Sequence, residues 1–189
     1  MKQAKTLRPE ELKRVLTHVT TRRHGVRDRA IVLTSFLSGM RAHEIAALRI
    51  GDVRDDTGNV RDEIILKPEQ TKGSRTRRVF VNAKLKKELA SYINAKCETA
   101  PANKPLFRSQ KGSAFNGNTM CQLFLGIYKT CGIKGASSHS GRRTFITNLA
   151  SKSISVRVLA ALAGHSSIST TQKYIDVNDD QLRNAVEQI

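Results

Sequence analysis

Tryptophan is absent from this 189-residue chain, and aromatic residues make up only 5% of it. That scarcity argues against a stacking platform for single-stranded nucleic acid. Cysteine is sparse as well. Cys97, Cys121 and Cys131 are odd in number and form no C-x-x-C pair, so they read as reduced thiols and not as a disulfide frame or a zinc site. No run of about 18 apolar residues occurs, which excludes a helical membrane span. The opening residues Met1 to Lys5 lead into more charge without an apolar leader. No secretory signal is therefore expected, and a cytoplasmic location is. Acidic residues are few, 16 against 33 lysines and arginines, for a formal net charge of +17. That excess points to a polyanionic partner, either nucleic acid or an anionic membrane surface. With 39% hydrophobic residues the chain is long and apolar enough to pack one core.

The apolar periodicity predicts a mainly helical α+β domain. Pro9 with Glu10 and Glu11 looks like a first helical turn, and Leu12, Val15, Leu16 and Val19 follow at helical spacing. Residues 30–37 are apolar nearly all round, as in a central buried helix. A short helix is expected over residues 41–48. Val53, residues 62–66 and residues 78–81, separated by Asp55-Asp56-Thr57-Gly58-Asn59 and Thr71-Lys72-Gly73-Ser74, read as a small three-stranded antiparallel sheet. Helical patterns resume from Lys84, from a cap at Asn118 to Thr130, from Ser137-Ser138 to about Lys152, and from a cap at Ser155 to Gly164. A last amphipathic helix holds Leu182 and Val186, with Asn178, Asp179 and Asp180 as its polar start and Ile189 on the same face.

Several residues stand out for their chemistry. His139 and Arg142 lie three apart at a helix start, so they share a face beside a terminus that attracts anions. Arg142 and Arg143 are separated by about 100° of helix rotation, so at most one enters a given site. Gly164-His165 sits in a turn just past a helix, and Tyr174 follows nine residues later. Arg41 lies where a buried helix meets a turn, an unusual place for a surface arginine. A phosphate clamp and a phenol nucleophile are one reading of this set. A helix cap, a packed turn histidine and a core tyrosine are the other.

The ordered segments Ser38-Gly39-Met40-Arg41-Ala42-His43-Glu44-Ile45, Thr71-Lys72-Gly73, His139-Ser140-Gly141-Arg142-Arg143-Thr144, Ala163-Gly164-His165 and Thr171-Gln172-Lys173-Tyr174 resemble the signature of the tyrosine recombinases, or phage-integrase family. The resemblance runs from about Pro9 to the end of the chain. It implies the tyrosine-recombinase catalytic-domain fold and a site-specific recombinase that cuts and rejoins duplex DNA through a 3′-phosphotyrosine. Arg41 and Arg142 match the family's two phosphate-gripping arginines, whose planar fork a lysine cannot reproduce. Tyr174 matches the nucleophile, His139 the residue that assists it, and His165 the position that hydrogen-bonds the phosphate. Lys72 matches the hairpin lysine that protonates the departing 5′ oxygen, and Glu44 the carboxylate that holds the first arginine. Arg143 stands where many relatives have histidine, and Gly141 where an apolar residue is usual.

The resemblance further implies double-stranded DNA as partner, a monomer off DNA and a tetramer on paired sites, with no cofactor and no metal. Residues 1–189 are expected to form one catalytic domain without the family's N-terminal core-binding domain, since only eight residues precede Pro9. A complete short recombinase and an isolated catalytic domain both fit that expectation. Two alternatives share the motifs in part: a type IB topoisomerase-like nicking-closing enzyme, and a non-catalytic DNA-binding relative.

Overall fold

The computed structural model describes residues 3–71, 73–152, 154–175, 183, 186 and 187. Its organising element is α2 (Gly25–Ser38). Ten of its 14 residues are buried, including Ile31, Val32, Leu33 and Phe36. The nearly all-round apolar stretch in the sequence is thus a helix enclosed on all sides. Around it pack α1 (Pro9–Thr20), the short α3 (Ala42–Ala46), α5 (Ala83–Lys96) and α7 (Ser140–Ala150). α6 (Gly117–Thr130) closes the far side against α3 and α1, adding Phe124, Ile127 and Tyr128 to the same core. Each fully buried aliphatic or aromatic side chain contributes about 1.5–3 kcal/mol, so this shared core is what holds the site elements in register. No helix among the described residues is long and apolar enough to cross a membrane.

The approach between α2 and α7 depends on a missing side chain. A Cβ at Gly141 would lie 2.3 Å from Ser35 Oγ and 3.0 Å from the Phe36 ring. Glycine there brings α7 down onto α2, and the neighbouring Arg142 comes with it. Ahead of α1, residues 5–7 form an entry strap across α7. The Lys5 N–H donates to Gly135 O at 3.0 Å, and the Leu7 N–H donates to Thr144 Oγ1 at 3.0 Å. Buried Glu11 accepts from the Arg8 N–H and from Lys5 Nζ, at 3.0 and 2.6 Å.

The sheet has two strands among the described residues, where three were expected. β1 (Glu63–Leu66) pairs antiparallel with β2 (Arg77–Phe80). Val53 instead ends a one-turn helix, α4 (Ile50–Val53). Asp52 accepts the Arg49 N–H at 2.8 Å and so favours the helical turn. Asp55 accepts from the Thr57 and Asn59 amides, closing the following turn so tightly that only one bridge, Arg54 to Val60, remains.

Between α5 and α6 the chain is largely irregular, but it is anchored. Leu106 and Phe107 are fully buried, and the Arg54 guanidinium holds the carbonyls of Cys97, Glu98 and Ala100. Asn116, and not Asn118, caps α6, because the Thr119 hydroxyl reciprocates by accepting the Asn116 N–H at 3.0 Å. Ser155 caps α8 (Val156–Ala163) as its position predicted, and a further short helix, α9 (Ile168–Gln172), precedes Tyr174. Of the expected terminal helix, Asn178, Asp179, Asp180, Leu182 and Ile189 lie outside the described residues, and Val186 is exposed.

Candidate active site

Three arginines from three distant segments gather near one carboxylate, and two of them bond to it. Glu44, in α3, is fully buried. Its Oε1 accepts from Arg41 at 2.8 Å, and its Oε2 accepts both the Arg41 N–H at 2.8 Å and the guanidinium of Arg77. Burial works to raise the Glu44 pKa, but the Arg77 charge, the Arg41 amide and the Arg41 charge outweigh it and leave the carboxyl below its usual value. Glu44 is therefore an anion that fixes two cations.

Arg77 was not singled out in the sequence. It opens β2, is only 7% exposed, and its second guanidinium nitrogen donates to Leu162 O at 2.9 Å. It thereby ties the hairpin to α3 and to the C-terminal end of α8. Its signal was the two-residue period: Arg77, Val79 and Val81 all face inward, while Arg78 and Phe80 face out.

Arg142 is 4% exposed and, among the described residues, bonds to no carboxylate. It donates to Gly39 O at 2.7 Å and to Ala163 O at 2.6 Å. These carbonyls belong to the C-terminal ends of α2 and α8, where the helix dipoles favour positive charge. Burial, then the fields of Arg41 and Arg77, push the Arg142 pKa down to about 9, which leaves it charged at neutral pH. Among the described residues one carboxylate thus lies near three guanidiniums, and the surplus positive charge suits a phosphate.

Gly164 ends α8 with φ at 62°. Its N–H donates to Ala161 O, and the His165 N–H reaches back to Ala160 O at 2.9 Å, the paired bonds of a Schellman turn. A Cβ at this glycine would also lie 2.6 Å from Arg77 Nε. This turn aims the His165 ring. Its Nδ1 lies 2.8 Å from Thr171 Oγ1, and its face stacks on Tyr174 with ring centroids 5.9 Å apart at 17°. Burial first, then the Arg142, Arg41 and Arg77 charges, lower the His165 pKa to about 4. The imidazole is neutral at physiological pH.

Tyr174 hangs from the end of α9, its N–H donating to Thr171 O at 2.9 Å. The Arg143 guanidinium covers its ring at 5.2 Å, while Arg143 Nε donates to Thr6 Oγ1 at 3.2 Å. So Arg142 joins the arginine cluster, while Arg143, about 100° round the helix, lies over the Tyr174 ring instead. His139 is exposed at the N-terminal end of α7, where its carbonyl accepts the Arg143 N–H at 2.9 Å. Lys72 lies outside the described residues; its neighbour Thr71 braces the hairpin loop by donating to Arg75 O at 2.8 Å. The structure therefore gathers Arg41, Glu44, Arg142, His165 and Tyr174. Among the described residues no group of three or more His, Cys, Asp and Glu is placed to hold a metal ion.

Known proteins resemble this chain in sequence and fold. A tyrosine recombinase XerC from Pelobacter propionicus is 30% identical over 160 residues, covering 84% of this chain and 50% of the relative. A XerA from Pyrococcus furiosus is 28% identical over 183 residues, covering 97% of this chain and 61% of the relative. The chain thus spans between half and two thirds of the length of these relatives. The crystal structure of a XerA recombinase superposes with a TM-score of 0.76 at 26% identity, over 99% of this chain and 66% of that one. The Tn1549 transposon integrase, in complex with a circular intermediate DNA, reaches 0.81 at 20% identity over 100% of this chain and 67% of that one, a likeness of fold alone. The family model for the phage integrase family matches residues 5–181, a span that includes the whole arginine cluster and the tyrosine beside it, and the chain belongs to that family.

Proposed function

We propose that this chain carries the catalytic machinery of a site-specific DNA recombinase. The observation that carries the reading is the charge arrangement: Arg41, Arg77 and Arg142 around a single Glu44, with the Tyr174 ring stacked on neutral His165 beside them. Such a site attracts one phosphodiester and supports the charge that builds on its non-bridging oxygens at a pentacoordinate phosphorus. Arg41 and Arg142 grip those oxygens, and His165 hydrogen-bonds one of them. The Tyr174 oxygen attacks phosphorus, assisted by His139, because a neutral phenol with a pKa near 10 is a weak nucleophile. The bond to the 5′ oxygen breaks, and Lys72 supplies the proton that oxygen needs to leave. A 3′-phosphotyrosine and a free 5′ hydroxyl result. Attack by a 5′ hydroxyl on the phosphotyrosine reverses the step and rejoins the strand, with the bond energy kept throughout.

The partner is double-stranded DNA. The chain is a monomer off DNA, and exchange takes place in a tetramer on paired sites. The deciding experiment traps the adduct on a nicked suicide duplex containing the element's own crossover site. The wild-type chain is expected to give a covalent band on a denaturing gel, and Tyr174→Phe to give none while still shifting the duplex. An undiminished band from Tyr174→Phe would remove the assignment.

A further inference from the structure

Thr171 is a fully buried hydroxyl whose one hydrogen bond among the described residues is the 2.8 Å contact with His165 Nδ1. A hydroxyl can donate one proton and accept others, and a buried donor left without an acceptor costs about 1–3 kcal/mol. Among the described residues the acceptor within reach is Nδ1. If Nδ1 instead carried the imidazole proton and donated it to Oγ1, the hydroxyl proton would be stranded in a dry pocket. The favoured arrangement is Oγ1–H donating to an unprotonated Nδ1, which places the ring proton on Nε2. The ring has little freedom to escape this pairing. Its backbone is fixed by the Schellman turn at Gly164, and one face lies against Tyr174. Protonation of both nitrogens is opposed by the three guanidiniums nearby, consistent with a pKa near 4.

We propose that Thr171 is a positioning residue that locks His165 in its Nε2–H tautomer, making His165 a hydrogen-bond donor to the scissile phosphate and not a proton acceptor for Tyr174. The role at the phosphate rests on the proposed recombinase reading; the tautomer does not. One consequence is that the Tyr174 proton must leave by another route, away from His165.

The test is 15N–1H correlation spectroscopy on the full chain labelled at histidine, with the His165 signal assigned by its loss in His165→Gln. At pH 7 the wild type is expected to show a pyridine-type Nδ1 and a pyrrole-type Nε2. Thr171→Val keeps the shape and removes the hydroxyl; both nitrogens should then move towards averaged shifts. DNA cleavage should fall about tenfold to a hundredfold with duplex affinity unchanged. Thr171→Ser should restore both readouts. A protonated Nδ1 in the wild type, or an unaltered tautomer in Thr171→Val, overturns the proposal. Should Thr171→Val fail to fold, the wild-type spectrum still decides. A correct tautomer with no covalent adduct would count against the recombinase reading alone, and an adduct with the wrong tautomer against the role of Thr171 alone.

Discussion

At the scale of single residues, the site is an exercise in placing cations where water is scarce. Arg77 shows how firmly they depend on one another. Replacing it by methionine keeps the volume but leaves Glu44 with Arg41 alone and strips Leu162 O of its donor. Breaking a buried pair in this way costs about 3–5 kcal/mol, and urea unfolding of Arg77→Met should show a loss of that order. Arg41→Lys is a different kind of change. Arg41 is partly exposed, so the fold should stand, but cleavage should lose about 2 kcal/mol or more of transition-state stabilisation with little change in duplex affinity. Single-turnover rates beside gel shifts separate the two. Arg41, Glu44, Arg142, His165 and Tyr174 were legible because each stands in a short motif in a fixed order. Arg77 was not, because Arg75-Thr76-Arg77-Arg78 reads as one more basic run in a chain with 33 lysines and arginines. Only its strand phase with Val79 separates the buried arginine from its exposed neighbour.

At the scale of elements, helix ends do most of the positioning. α2 and α8 present their C-terminal carbonyls to Arg142, and the turn after α8 delivers His165. Gly164→Ala places a side chain both in a left-handed conformation, costing about 1–2 kcal/mol, and against Arg77 Nε. Its melting temperature should drop, and its cleavage should drop further than the melting shift alone explains. The neutral state of His165 also has a thermodynamic signature. Its folded pKa, about 4, lies below its ordinary value of 6.5, so between those values the unfolded chain binds more protons. Stability from this group is therefore intact above about pH 6.5 and declines as pH falls towards 4. After allowance for partial exposure the loss is on the order of 1–2 kcal/mol. Melts at pH 7 and pH 4.5 should show a smaller acid shift in His165→Gln than in the wild type. Helix periodicity and the Ser155 and Gly164 caps were readable from local sequence. The third strand and the Asn118 cap were misplaced because the deciding contacts, Asp52 to Arg49 and Thr119 to Asn116, are choices between two competent neighbours. α9 escaped notice because five residues carry too little periodicity to see.

At the scale of the whole molecule, charge and connectivity matter most. With a net charge of +17, duplex binding should be dominated by release of counterions. If six or more phosphates are contacted, affinity should fall about a thousandfold between 50 and 200 mM salt. A salt-independent dissociation constant would remove the electrostatic footprint from the account. The entry strap has a consequence of another kind. Thr6 accepts from Arg143, and Arg143 roofs the Tyr174 ring, so the entry strap and that ring are two ends of one short lever. Its pivot is α7, the helix that also carries Arg142 into the arginine cluster. A displacement of Thr6 would thus reach the Tyr174 ring through the single side chain of Arg143, without first passing through the hydrophobic core.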